Sequence, residues 1–366
     1  EQFVAGLKDP SPRVRMQAAR GLGRFRLNSS KQADLQAASV KLVPLTVDSD
    51  PLVSHIAIDS LVRLKAKEAC LAALDSAQVE ERTGACRVLQ HLHDPAVVTG
   101  LIDWLKKPVE ARPAGPTGQA MSYGITRSLV LTTLCRLYFD EADYTGDWWG
   151  TRPDTSGPYY KHVTWSESER IAAVLQNELA HGNQATIKAL LPQLRRHKLD
   201  LPGTQERIVK LAGEDREFFP TAVDLISTGS GNLSTDAAHL LETAATLNPT
   251  ATALRAKALR GLQRRVDQPS MFEIVFRSFA AVSEKDQSTE VGTAWDEFVR
   301  EPKLSKLIAP LAKQTESTES ADRELAYAVL AFVSESPQAP KDARDAAMRV
   351  VERAWSNPEG TISTLR

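Results

Sequence analysis

The residues of this chain that are best suited to bind a partner or ligand lie in one stretch. Residues 143–165 read DYTGDWWGTRPDTSGPYYKHVTW and hold three of the six Trp and three of the six Tyr residues of the protein. Trp, Tyr and Arg dominate the energetics of protein interfaces. Flat aromatic faces can also stack on sugar rings, while carboxylates accept bonds from sugar hydroxyls. The candidate binding residues are Asp147, Trp148, Trp149, Arg152, Asp154, Tyr159, Tyr160 and Trp165.

Three interpretations of this stretch are open. It could be a structural plug in which Trp148 and Trp149 pack inward and Arg152 pairs with Asp147 or Asp154. It could be a docking surface for a partner protein, or a site for a glycan or small ligand. A long loop in a compact array is usually functional or disordered, and disordered segments are poor in aromatic residues. We therefore expect the stretch to be ordered.

No other constellation predicts catalysis or metal binding. The seven His residues are scattered, and His91 and His93 are two apart, so on a helix they point to different faces and suggest surface or capping roles. The chain has no HExxH, GxSxG, Walker or GxGxxG motif. We therefore predict no catalytic residue and no metal ligand.

The three Cys residues all stand in apolar helical contexts, which is typical of small buried hydrophobic side chains. Cys70 and Cys86 could face each other across a helical hairpin, so a disulfide between them stays open. Neither these two nor Cys135 forms a CxxCH motif, so we expect no cofactor in this chain.

Composition narrows the classes of partner. The chain has 45 Lys and Arg against 46 Asp and Glu, which gives a net charge of −1 and argues against a nucleic-acid partner. No apolar run approaches the roughly 18 residues that a membrane span requires. The first residues already have a helical pattern, so we expect no signal peptide and expect the chain to start inside a repeat.

The aromatic stretch interrupts a helical chain. Its Gly and Pro residues exclude a helix or a central strand, whereas a helix is predicted before it, from about Tyr123 to Phe139. Ser166 with Glu169 forms a capping box that predicts the start of the next helix, and Gly182 predicts its end. No stretch of the chain has a convincing strand pattern. We expect Pro192 and Pro220 to mark kinks or boundaries of later helices.

The N-terminal region is repetitive. A repeat begins at Asp9, with Val14, Ala18 and Leu22 following at offsets that recur after Asp48 as Val53, Ala57 and Leu61; further copies start at Asp75 and Asp94. The Asp suits a turn that caps the next helix, and the small Ala allows close helix packing. A single helical pair cannot bury its apolar stripe, so the copies must stack.

This pattern is similar to HEAT repeats of the phycobilisome-lyase HEAT-like type over residues 3–105. The resemblance implies an all-α fold, a HEAT-like α-solenoid (superhelix) with a long aromatic non-helical insertion. We predict regular repeats in residues 1–139, the insertion in residues 140–165, and degenerate HEAT-like helices in residues 166–366, as one continuous solenoid.

The string GDWWGTRPDTSGPYYK at residues 146–161, followed by VTW, resembles the HEAT region of large planctomycete-type multi-domain c-type cytochrome proteins. That family commonly has a sugar-dehydrogenase-like β-propeller before the HEAT region and a CxxCH haem domain after it. This chain has neither. The resemblance implies a non-enzymatic interaction scaffold in an exported, periplasmic redox protein, with haem in a neighbouring domain. Its partners would be other domains of the parent protein or a separate protein.

Two alternatives belong to other classes. The aromatic stretch could make the chain a carbohydrate-binding or small-ligand module, or an accessory domain of an enzyme. A HEAT-fold nucleic-acid enzyme of the alkylpurine-glycosylase kind would need a basic concave face, and the net charge of −1 argues against it.

We predict that Trp148 and Trp149 do different jobs, because adjacent residues of an extended segment point to opposite sides. One ring should pack on the helices, where its removal costs on the order of 3 kcal/mol. The other should face a partner beside Arg152 and Asp154, with Arg152 placed for cation–π contact. Thermal melting and pull-down of the neighbouring domains should show that one Trp→Ala variant loses stability and the other loses binding. If both variants simply melt early, the insertion is structural.

Overall fold

The computed structural model describes residues 2–24, 32–108, 119–143, 161–229, 231–247, 250–266, 268, 271–282, 284–286 and 288–356. The described residues form two compact units, residues 1–201 and 202–366. None of the described helices is both long enough and apolar enough to cross a membrane. The predicted three-part division at residues 139 and 165 stays a prediction.

Helices account for nearly all the regular structure of the described residues. The α-helices of unit 1 are α1 (Gln2–Gly6), α2 (Pro12–Gly23), α3 (Gln32–Leu42), α4 (Pro51–Leu64), α5 (Lys67–Ala73), α6 (Val79–Leu89), α7 (Pro95–Lys106), α8 (Gln119–Leu137), α9 (Ser168–His181) and α10 (Gln184–Arg196). Those of unit 2 are α11 (Thr204–Glu214), α12 (Phe219–Thr228), α13 (Thr235–Ala245), α14 (Thr252–Gln263), α15 (Phe272–Ala280), α16 (Glu290–Val299), α17 (Ile308–Gln314), α18 (Ser320–Glu335) and α19 (Lys341–Trp355). Short 3₁₀ helices cover Val43–Val47, Glu284–Asp286 and Pro302–Leu307.

In unit 1 the helices stack as repeated pairs, which confirms the predicted all-α, HEAT-like solenoid. The second helices of the pairs form one continuous row, in which α2 contacts α4, α4 contacts α6, α6 contacts α8 and α8 contacts α10. The first helices α3, α5 and α7 contact one another in the same order. Each pair therefore buries its apolar stripe against its neighbours, as stacked repeats must.

The predicted buried stripe is present, with one exception. Val53, Ala57 and Leu61 of α4 are completely buried, and Ala18 and Leu22 of α2 are nearly so. Val14, which the repeat pattern aligns with Val53, is 42% exposed. Among the described helices, α2 packs mainly against α1 and α4.

The predicted capping role of the repeated Asp residues is confirmed at Asp94, which caps α7 by accepting a bond from Ala96 N, but not at Asp48. The N-cap of α4 is Asp50, whose carboxylate accepts bonds from Leu52 N and Val53 N. Asp48 instead accepts two bonds of 2.8 Å from the Arg15 guanidinium of the preceding repeat. This bidentate pair holds the pKa of Asp48 below its ordinary value. The repeat signature therefore encodes a contact between repeats as well as a turn.

Small residues set the spacing of the second helices. Gly23 of α2 lies against Ser60 of α4, whose Oγ donates to Ala19 O over 3.1 Å. Gly84 of α6 lies against Thr46, and a Cβ on Gly84 would overlap the Thr46 side chain. In each place only a hydrogen atom fits between the two elements.

Unit 2 has the same helical architecture with a less regular sequence. Consecutive contacts join α11 to α13, α12 to α14, and α14 to α16. Gly261 of α14 lies against the backbone of Ser227 of α12, so the close approach of the second helices recurs here. Arg255 and Asp286 form a bidentate ion pair of 2.6 and 3.1 Å, with both residues buried.

Two sequence expectations differ from the structure, and the prediction for two Pro residues is confirmed at one of them. Two short strands exist where none was predicted: β1 (Phe139–Glu141) and β2 (His162–Thr164). The helix before them begins at Gln119 rather than near Tyr123 and ends at Leu137. Pro192 lies inside α10, so of the two predicted roles the boundary is excluded and the kink stays a prediction, whereas Pro220 lies in the first turn of α12, as predicted for a boundary.

The capping-box prediction is also wrong. Helix α9 begins at Ser168 with Glu167 as its N-cap residue, and no side chain bonds that cap. The hydroxyl of Ser168 is used elsewhere, as described below. The predicted end at Gly182 is confirmed, since Gly182 is the C-cap residue of α9. Cys70, Cys86 and Cys135 are buried and free, so the structure contains no Cys70–Cys86 disulfide.

We predict that Gly84→Ala destabilises the protein by about 1–3 kcal/mol, because its methyl group would push α6 away from Thr46. Gly124→Ala is the matched control in the same unit, since a Cβ at Gly124 meets nothing within 4 Å. It should stabilise helix α8 by about 0.5–1 kcal/mol. Urea unfolding of both variants gives the two free energies. Equal effects would show that the close approach does not control stability.

A beta-hairpin at the base of the aromatic insertion

The aromatic insertion begins and ends on a two-stranded antiparallel ladder. Strand β1 follows the end of α8, strand β2 precedes α9, and Phe139 pairs with Thr164, Asp140 with Val163 and Glu141 with His162. The ladder continues one residue further, where Ala142 N donates to Lys161 O over 2.8 Å. The two ends of residues 143–160 therefore lie next to each other.

Trp165 ties this hairpin to the helices on both sides. Its indole Nε1–H donates to Leu137 O over 2.7 Å, and so satisfies a carbonyl at the end of α8 that has no partner within the helix. Its backbone N–H donates to Ser168 Oγ over 2.9 Å, and the Ser168 hydroxyl donates to Tyr138 O over 2.6 Å. Trp165 was predicted as a binding residue, and the structure gives its indole N–H a bond to the backbone.

His93 joins the hairpin to the end of α6 and the start of α7. Its Nε2–H donates to Phe139 O over 2.8 Å, and its Nδ1 lies 3.4 Å from Asp140 Oδ1. Its ring meets the Trp165 ring edge-on, with 5.4 Å between the centroids. The side chain is only 14% exposed. The sequence predicted a surface or capping role for His93. It could not show the bond to Phe139 O, because the two residues lie 46 positions apart along the chain.

Aromatic packing completes the base. The Phe139 ring lies 4.6 Å from the Tyr138 ring, edge-on, and 4.4 Å from the His162 ring on the opposite strand. Phe139 and His162 are diagonal neighbours in the ladder, a position from which large side chains reach each other. Val163, on β2, stays 42% exposed.

The other seven candidate binding residues lie outside the described residues. They are Asp147, Trp148, Trp149, Arg152, Asp154, Tyr159 and Tyr160. The predictions made for them, including the separate roles of Trp148 and Trp149, therefore stay predictions. The structure describes the two strands, β1 and β2, that precede and follow them.

A positive field surrounds the helix ends next to the hairpin. Burial, followed by the charges of Arg136 and Arg196, lowers the pKa of His197 to about 4. Burial and then Arg136 also lower the pKa of His91. Arg136 extends toward Glu141 of β1, with 3.5 Å between Nη2 and Oε1. The ends of α6, α8 and α10 therefore lie close enough to share one electrostatic environment.

The buried thiols are unreactive. Burial raises the pKa of Cys70 and of Cys86 to about 12, and it raises the pKa of Cys135 as well. A thiol with a raised pKa is protonated at neutral pH and is a poor nucleophile or metal ligand. Among the described residues, no group of three or more His, Cys, Asp or Glu side chains is arranged to hold a metal ion.

Comparison with known proteins adds one local match and several distant ones. A family model for the HEAT repeat matches residues 1–25, which contain α1 and α2. No curated protein matches the sequence.

Similar solved structures include an engineered protein, at 16% identity, with coverage of 98% of this chain and 94% of that chain and a TM-score of 0.34. The complex of CpcE and CpcF of phycocyanin lyase from Nostoc sp. PCC7120 has 19% identity, coverage of 76% and 91%, and a TM-score of 0.29. A designed armadillo repeat protein in complex with the peptide (KR)4 has 15% identity, coverage of 77% and 98%, and a TM-score of 0.22. Likeness at this level carries no argument about function.

We predict that Trp165→Phe lowers the free energy of unfolding by about 1–3 kcal/mol, because it keeps an aromatic ring against His93 but leaves the buried Leu137 carbonyl without its donor. Val163→Ala is the control on the same hairpin and should change stability by less than about 0.5 kcal/mol, since its side chain is partly exposed. Chemical denaturation measures both. An unchanged Trp165→Phe variant would contradict the anchoring role of the indole N–H.

Proposed function

We propose that this chain is a non-enzymatic protein-interaction scaffold whose hairpin presents the aromatic insertion to a partner protein. The observation that carries the proposal is the ladder at the base of the insertion. Because the Ala142–Lys161 bond brings the two ends of residues 143–160 together, a deletion or replacement there need not disturb the helical stack.

The rigid base supports this role. Affinity depends on how much freedom a binding segment loses when it binds, so an anchored segment binds more tightly than a free one. Trp165 and His93 fix both strands to three helices through the bonds described above. Beyond that base the insertion holds the residue types that carry most interface energy, including Trp148, Trp149 and Arg152.

We propose that the chain is not an enzyme because its most prominent polar side chains have structural roles. His93 and Trp165 bond to backbone carbonyls, Arg15 and Asp48 join two repeats, and Arg255 and Asp286 pair inside unit 2. Each of these groups thus has a structural task.

The identity of the parent protein is proposed only from the resemblance of residues 146–161 to the HEAT region of multi-domain c-type cytochrome proteins. On that basis we propose that the partner is another domain of a larger, exported, periplasmic redox protein, with a haem domain next to this region. The full-length gene product tests this directly. A downstream CxxCH motif supports the context, and a parent protein without one removes it but leaves the scaffold role open.

Replacement of residues 143–160 by Asn-Gly should separate docking from folding. The two new residues would connect Ala142 to Lys161 in the existing register, and Asn-Gly favours the tight turn that such hairpins use. We expect thermal unfolding to be nearly unchanged, because the contacts of Trp165 and His93 remain. Binding to the flanking domains of the parent protein, supplied separately and followed by calorimetry, should be lost.

A second variant controls for the altered length of the loop. It keeps all residues but replaces Trp148, Trp149, Tyr159 and Tyr160 by Ser, and it should lose binding to a similar extent. Early melting of the shortened chain would identify the insertion as a structural plug. Unchanged binding would contradict docking by the insertion. Oligosaccharide binding by the intact chain, lost in the shortened one, would favour the carbohydrate-binding alternative.

A further inference from the structure

The first helical pair, α1 with α2, has an apolar outer surface. Phe3 and Val4 of α1 are 48% and 37% exposed, and Val14 of α2 is exposed as well. We name these three residues the end face. They are three of the eight large hydrophobic side chains that are exposed among the described residues, so they form a cluster. Single exposed apolar residues are ordinary, whereas a cluster of them marks a contact surface.

The residues of the end face have buried equivalents in the next repeat. Counted from the signature Asp of each repeat, these equivalents are Leu42, Val43 and Val53. The first and the last are completely buried, and the second is nearly so. In the third repeat Ala69 and Cys70 stand at the positions of Phe3 and Val4, and both are buried. The repeat therefore provides these positions for contact with another element.

The bond made by Ser60 shows which side of α2 carries Val14. Ser60 Oγ donates to Ala19 O, so this side of α4 faces the preceding second helix, α2. Val53 stands seven residues before Ser60 and therefore lies on the same side of α4. On α2, Gly21 is the equivalent of Ser60, and Val14 stands seven residues before it. Val14 thus lies on the side of α2 where a preceding second helix would pack.

Phe3 covers part of that side. Its ring lies over Gly21, where a Cβ would overlap it. Among the described second helices, α4 packs against both α2 and α6, whereas α2 packs mainly against α4. A half-exposed ring of α1 therefore stands where an inner repeat has a whole helix.

The signature carboxylate of the first repeat also lacks a partner that the second repeat has. Asp48 accepts a bond from Asp50 N and two bonds of 2.8 Å from Arg15 of the preceding repeat. Asp9 accepts the equivalent bond from Ser11 N over 2.8 Å. It forms no ion pair with any residue that the structure describes, since the Arg15 guanidinium bonds only its backbone carbonyl.

We propose that the end face and Asp9 bind a further helical pair of the same repeat type, which belongs to the same polypeptide. Its second helix would cover Phe3 and Val14, and an arginine at the position of Arg15 would pair with Asp9. The source is the same polypeptide, because the contact of α2 with α4 that it would repeat lies within one chain. The proposal does not depend on docking by the hairpin.

The character of the first pair favours this occupant. A pair that closes a stack of repeats needs a polar outer face to remain soluble, and the end face is apolar. The apolar side chains alone would accept many partners. Asp9 narrows the choice, because its equivalent Asp48 is paired with an arginine from the repeat before it.

A chain preceded by a second copy of residues 2–40 tests the proposal. This extension keeps the spacing between the first two repeats, so Arg15 of the copy stands in the same register to Asp9 as the native Arg15 does to Asp48. We expect the midpoint of thermal unfolding to rise, because the end face becomes buried. An extension of the same composition in shuffled order is the control and should leave the midpoint unchanged.

Cysteine labelling reports whether the end face is covered. Val14→Cys, made in the native α2, places a thiol there, while the three native Cys residues are buried. We expect a maleimide to label this thiol about tenfold or more slowly in the extended chain, because labelling then requires local opening. Leu52→Cys is the matched control, since Leu52 is 64% exposed in the first turn of α4. It should react equally in both chains.

A pair of substitutions tests the arginine. In the extended chain, Asp9→Asn should lower the midpoint, and Arg15→Gln in the copy should lower it by a similar amount. The two together should have no more effect than either alone, because they remove the same interaction. In the unextended chain Asp9→Asn should have a smaller effect, since Asn can still accept the bond from Ser11 N.

Other outcomes overturn the proposal. A folded extension that leaves the Val14→Cys thiol reactive would show that the end face does not take a helical pair. Protection of this thiol in the unextended chain, together with sedimentation as a dimer, would make a second copy the occupant. Additive effects of the two substitutions would exclude the arginine. A parent polypeptide with no such pair before residue 1 would exclude the proposed source.

The hairpin provides a separate check. Replacement of residues 143–160 by Asn-Gly should leave the labelling and the midpoint shift of the extended chain intact. Failure of this proposal and failure of docking by the insertion are therefore distinguishable.

Discussion

The close approach of consecutive second helices is the constraint on which the rest of unit 1 depends. No helical pair can bury its own apolar stripe, so each must lie against the next. Gly23 against Ser60, and Gly84 against Thr46, remove the side-chain bulk that would hold the elements apart. Completely buried Leu61 and Leu89 then pack between the helices. The same device appears in unit 2 as Gly261 against Ser227, although the repeat signature there has largely disappeared.

Close packing also decides what the polar side chains must do. A charged group enclosed by neighbouring helices is costly unless it is paired. Arg15 with Asp48 therefore joins two repeats, and Arg127 with Glu178 joins α8 to α9. Arg255 with Asp286 does the same inside unit 2. These pairs fix how each element sits on the next.

The hairpin between α8 and α9 follows the same rule. Backbone groups at the end of one helix and at the start of the next need hydrogen-bond partners. The ladder of β1 and β2, together with the indole of Trp165 and the ring of His93, gives partners to those groups. The hairpin thereby holds the two ends of residues 143–160 next to each other.

The sequence by itself determined the class of the fold, because helical periodicity and the recurrence from Asp9 to Leu22 and from Asp48 to Leu61 are local patterns. It also predicted a non-helical insertion from the spacing of Gly and Pro, and that prediction stays open because residues 144–160 lie outside the described part of the chain. Only the tertiary structure decided the roles of His93, Trp165 and Asp48. These roles depend on partners 28 to 46 residues away, and such distances close only when the repeats stack. Ser166 and Glu169 show the limit of a local signal: their spacing is that of a capping box, but α9 begins at Ser168, whose hydroxyl bonds Tyr138 O at the base of the hairpin.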